Sequence, residues 1–105
     1  MSYHIRYTPA AQKDMDDVRE SVLESSKSFD IAGIYVAEFA DTVAEKREFP
    51  ESGIPLYYRV LFTGFYSVNF MAYKAFYRLN AGYVEVIRVI LSKRDYLKIL
   101  FGERG

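Results

Sequence analysis

The apolar residues of this chain change their period once, and that switch limits the folds open to it. Up to Val43 they recur at helical spacing, whereas from Tyr57 onward the chain is aromatic and β-branched, with the alternation of strands. The break is Pro50-Glu51-Ser52-Gly53-Ile54-Pro55, read as a turn-rich loop. A helical part followed by a strand part predicts an α+β domain rather than alternating βαβ units.

The helical part has legible ends. Tyr3-His4-Ile5-Arg6-Tyr7 alternates and predicts a half-buried strand. Thr8-Pro9 then reads as a helix start, because threonine caps free backbone N–H groups and proline suits the first helical position. Ala11, Met15, Val18 and Val22 mark one face of a first helix. Asp14, Asp16 and Asp17 lack the glycine and closing glutamate of an EF-hand loop, and are expected on a solvated face. Ser25-Ser26-Lys27-Ser28 supplies a turn, and Phe29, Ala32, Val36, Phe39, Ala40 and Val43 mark a second helix that Pro50 ends. Two such helices joined by a short turn form an antiparallel hairpin.

The second part predicts strands at Phe65–Phe70, Tyr73–Leu79 and Tyr83–Leu91, with 57–64 open between strand and loop. Met71-Ala72 and Asn80-Ala81-Gly82 are short enough for hairpin connections, so the sheet is expected to be antiparallel. On the last strand Val84, Val86, Arg88 and Ile90 are expected on one face, with Glu85, Ile87 and Val89 on the other. The expected order is β-α-α-β-β-β with a tail from Ser92, the helical hairpin covering one sheet face in two layers. At 105 residues, 1–105 reads as a single domain.

Charge is divided along the same boundary. Residues 1–53 carry 6 basic and 11 acidic side chains, residues 54–105 carry 8 and 3, so a net charge of zero conceals halves of −5 and +5. The basic half also holds 12 of the 18 aromatic residues. Either the halves neutralise each other across one core, or the basic half meets a polyanion or an acidic protein. There are no cysteines, which fits a reducing cytoplasm and excludes disulfides and thiolate chemistry. No apolar run is long enough for a transmembrane helix, and no membrane partner is expected.

Familiar catalytic signatures are missing: there is no phosphate-binding glycine loop, no HExxH and no GxSxG. The one histidine, His4, reads as structural or exposed. No metal or cofactor is expected. The chemistry-bearing set is Arg59, Lys74, Arg78, Arg88, Lys93, Arg94, Tyr96 and Lys98. Lys74, Phe76 and Arg78 share a strand face by period two. Cations and rings on one surface hold phosphates by charge and bases by stacking, and equally suit an acidic protein segment. Metal-free RNA cleavage is chemically open to such a surface, since the 2′-OH is its own nucleophile and needs only cations and a proton acceptor. Tyr96 could serve as that acceptor, provided its hydroxyl is made more acidic by Lys93 or Arg94. The alternative is that its ring simply packs against the core.

Several segments, in order, resemble the RelE/ParE superfamily of bacterial toxins. They are 7–15 (YTPAAQKDM), 49–55 (FPESGIP), 76–79 (FYRL) and the ending 89–100 (VILSKRDYLKIL). The resemblance implies a helical hairpin on a twisted antiparallel sheet, and the toxin half of a type II toxin–antitoxin pair. The partner would be a cognate small antitoxin that wraps and neutralises it. RelE-like members cleave mRNA in the ribosomal A site without a metal, while ParE-like members poison DNA gyrase. Arg78, Arg88, Arg94 and Tyr96 match the family pattern, and the cleavage reading expects the three arginines to hold phosphate and Tyr96 to act on the nucleophile. The chain departs from the pattern at Ser92, where relatives commonly carry histidine, and near Tyr66, where many carry arginine. mRNA cleavage on the ribosome is the leading expectation. A gyrase poison acting by protein contact, or a member keeping only antitoxin binding, is the alternative.

Overall fold

A computed structural model describes residues 2–102. Strand β1 (His4–Tyr7) leads into α1 (Pro9–Ser26) and α2 (Phe29–Ala44), and two single turns of 3₁₀ helix follow at Glu45–Arg47 and Pro50–Ser52. Then come β2 (Ile54–Tyr58), β3 (Leu61–Phe70), β4 (Tyr73–Asn80) and β5 (Tyr83–Leu91), and the short α3 (Tyr96–Phe101). The sheet order is β1-β5-β4-β3-β2, with β1 parallel to β5 and every other pairing antiparallel.

The start of α1 follows the expected chemistry. Thr8 Oγ1 accepts from Ala11 N at 3.1 Å and donates to Ile87 O at 3.0 Å, so one side chain caps α1 and ties its start to β5. Ser28 Oγ caps α2 through Ile31 N, after Lys27 closes α1 in the left-handed conformation. The β4–β5 turn places both Ala81 and Gly82 at positive φ, the twist a two-residue hairpin needs.

Two clusters hold the layers together. Between the helices and the sheet lie Ala11, Met15, Val18, Phe39 and Val43 against Val68, Ala75, Tyr77, Val84 and Val86. Phe39 stacks on Phe70, ring centres 4.8 Å apart. On the opposite sheet face Leu56, Phe76 and Ile90 are covered by Leu97 and Leu100 of α3. The tail from Ser92 is thus a third, partial layer where two were expected.

Three further expectations change. Residues 57–64 are strand on both sides of a tight turn at Arg59, and β2 already begins at Ile54, inside the expected loop. The sheet is only mostly antiparallel, because the helical hairpin carries the chain from β1 to the far edge at β2, and the antiparallel run β2 to β5 then brings β5 beside β1 in the parallel sense. Strand β5 does not alternate throughout. Phe76 pairs with Arg88 but Tyr77 pairs with Val86, so Ile87 is an extra residue and a bulge. Beyond it the phase flips: Val89 joins Val84 and Val86 on the helix side, and Ile90 lies on the other face. Among the described residues no helix is long and apolar enough to cross a membrane.

Candidate functional site

The face bearing α3 carries an ordered row of charge. Register aligns Arg6, Glu85 and Arg78 side by side across β1, β5 and β4. Arg6 Nη2 lies 3.0 Å from Glu85 Oε2, and Arg78 Nε donates to Glu85 Oε1 at 2.8 Å. The Arg6 guanidinium also sits 4.1 Å from the centre of the Tyr83 ring. Glu85 is 8% exposed, and the Arg78 hydrogen bond holds its carboxyl below the usual range, assisted by Asn80 and Arg6. Two half-exposed arginines are therefore fixed in place by one buried carboxylate.

Arg88 lies elsewhere. The bulge turns it towards α1, where Nε and Nη2 donate to the two oxygens of Asp14 at 2.7 and 3.0 Å. Asp14 Oδ2 also accepts Val89 N at 2.9 Å. The hydrogen bonds to Asp14 raise the arginine's already high pKa further. Asp14 was expected on a solvated face and is instead a tie between α1 and β5. Arg88 and Arg94 line the same cleft, of about 580 Å³, between α1, the end of β5 and α3.

The remaining expected residues are dispersed. Tyr96 opens α3 with its ring 5.3 Å from that of Phe76, packed on the sheet rather than free. Lys74 donates to Asn69 Oδ1 at 2.7 Å. Arg59 sits at the β2–β3 turn with its guanidinium over the Tyr58 ring. Lys93, Arg94 and Lys98 are exposed around α3. The structure thus groups Arg78, Lys74 and Tyr96 on the α3 face, and Arg88 with Arg94 in the cleft. Arg6, Asp14 and Glu85 escape the sequence reading. Their only sequence signal is one carboxylate, Glu85, inside an apolar strand.

Tyrosines with displaced titration all move upward. Burial raises Tyr7, Tyr35 and Tyr66, and pushes Tyr77 up to about 12. These hydroxyls are made harder to ionise, so less of the phenolate that could accept a proton is present. Among the described residues no group of three or more His, Asp or Glu side chains is placed to hold a metal ion.

One apolar feature stands out from the charged surfaces. The β2–β3 hairpin exposes Tyr57, Val60, Leu61 and Phe62 at its tip, with Val60 90% and Leu61 68% exposed. Phe101 of α3 adjoins Leu61 and Phe62 along a shallow cleft.

Comparison with known proteins gives one family. Residues 5–96 match the model of the ParE toxin of the type II toxin–antitoxin system, parDE. No curated protein sequence matches. Among solved structures, the chromosomal ParDE toxin–antitoxin system of P. aeruginosa is similar with a TM-score of 0.70 at 14% identity, over 86% of this chain and 96% of that one. The RelBE2 toxin–antitoxin complex of Mycobacterium tuberculosis is similar with a TM-score of 0.57 at 23% identity, over 87% and 99%. Both likenesses bear on the fold: hairpin, sheet and order agree.

Proposed function

The chain belongs to the ParE toxin family of type II toxin–antitoxin systems, and from that premise we propose that it arrests growth by docking on DNA gyrase, held in check by a cognate small antitoxin. The reading implies a cytoplasmic site of action. The observation that carries it is the hairpin tip of Val60, Leu61 and Phe62. Contiguous exposed apolar side chains on a small domain mark a surface that another protein covers. The Arg88–Asp14 bonds support the same reading. A guanidinium already bound through two hydrogen bonds has less to offer a phosphate.

A second reading, metal-free mRNA cleavage on the ribosome, is favoured by the Arg6 and Arg78 pair on the α3 face, the face on which Tyr96 packs against Phe76. It requires Arg78, Arg94 and Tyr96 to meet one phosphodiester.

Purified gyrase, supercoiled plasmid and the chain decide between them. Linear DNA trapped on gyrase is expected, and Leu61→Asp should abolish it while leaving the thermal melt intact. Intact plasmid with wild-type protein, alongside cut mRNA in a ribosome assay, would replace this reading with the second.

A further inference from the structure

Among the described residues, the β5 edge beyond β1 has backbone groups for which no hydrogen-bond partner is found. In an antiparallel ladder successive residues face the partner strand and then away from it. Ser92 N donates to Ala72 O at 2.8 Å, so positions 92, 90 and 88 face β4, while Val89 and Leu91 face outward. β1 covers that outer edge only as far as Val86. Thr8 Oγ1 then bonds Ile87 O, and Asp14 takes Val89 N. Those are the two groups that a parallel neighbour would use opposite Arg88, supplied here by side chains of α1 and its cap.

The next pair up the edge is Val89 C=O and Leu91 N–H, on two residues that line the cleft between α1 and α3. An antiparallel neighbour would use both groups of one outward-facing residue. Val89 N–H is already given to Asp14, and Leu91 C=O already accepts Arg94 N at 3.0 Å. The parallel pattern is the one left open.

We propose that an extended segment of the antitoxin enters this cleft as a short strand parallel to β5. One of its residues bonds both Val89 C=O and Leu91 N–H. This rests on the reading of the chain as an antitoxin-bound toxin. The segment's chemistry follows from the walls. The side chain opposite Ile90 meets Ile90 and Ile99 and is apolar, because aligned residues of parallel strands share a face. An acidic side chain lies within reach of Arg94, which is exposed and has no ion pair among the described residues.

The test is NMR amide exchange on the full chain, free and co-expressed with the product of the neighbouring reading frame. The Leu91 amide should exchange freely alone and at least about tenfold more slowly in the complex. Arg94→Glu should weaken the complex about tenfold. A complex that forms with Leu91 exchange unchanged overturns the docking mode but leaves the antitoxin pairing intact. Protection of Leu91 in the free chain that grows with concentration assigns the edge to a second copy, and overturns the proposal. Failure of any complex to form refutes the antitoxin pairing itself, and the docking with it.

Discussion

Asp14 and Arg88, 74 residues apart in sequence, are joined by two hydrogen bonds of 2.7 and 3.0 Å that fasten the first helix to the bulged strand. The third bond to Asp14, from Val89 N, makes that carboxylate the anchor of the whole junction. Asp14→Ala leaves a part-buried guanidinium and a backbone N–H without their acceptor. The expected cost is about 2–3 kcal/mol, read as a shift of the urea midpoint at unchanged slope. Arg88→Ala in the Asp14→Ala background should then cost little more, because the pair acts as one unit. Additive losses would show that the two residues act separately.

Glu85 makes the fold sensitive to acid. Its carboxyl titrates below the usual value when folded, so the folded state favours its charged form. The stabilisation is full above the ordinary carboxylate range near 4.5 and is lost as pH falls through the lower folded value. The melting temperature should therefore drop on acidification below about pH 4.5, and Glu85→Gln should flatten that drop. An unchanged acid limb in Glu85→Gln would remove Glu85 as its source.

Tyr77 and Gly53 fit against one another on the helix-facing side of the sheet. The buried Tyr77 hydroxyl donates to Pro50 O, and a Cβ on Gly53 would collide with the Tyr77 hydroxyl oxygen. Gly53→Ala should cost about 1–3 kcal/mol by overpacking, and Tyr77→Phe about 1 kcal/mol through the unbonded carbonyl. The double variant should be more stable than the sum of the two losses, because removing the hydroxyl makes room for the methyl. Thermal melts of the three variants measure it.

Phe39 tests the helix register. It is fully buried and stacked on Phe70, so Phe39→Asp puts an unpaired charge under the sheet and should abolish the cooperative melt. Val36 is only partly buried, so Val36→Asp should cost less than Phe39→Asp.

These residues also show what the sequence made legible. The Thr8-Pro9 start and the stripe through Phe39 rest on local chemistry and appear as expected. The bulge at Ile87 leaves no mark in composition, since one extra apolar residue in an apolar strand looks like any other. With it went the facing of Arg88 and Val89. The Arg6–Glu85–Arg78 row depends on β1 lying parallel to β5, a pairing between the two strands furthest apart in sequence that no local signal reports. Of the site, the basic and aromatic residue types were legible, but not their division between the α3 face and the cleft.

The most direct test of gyrase docking is expression in growing cells with DNA breaks and mRNA ends mapped together. Gyrase-linked breaks and SOS induction with mRNA intact are expected, both lost in Leu61→Asp. Cleavage of mRNA in the ribosomal A site that disappears in Arg94→Ala and Tyr96→Phe, with DNA unbroken, would contradict gyrase docking.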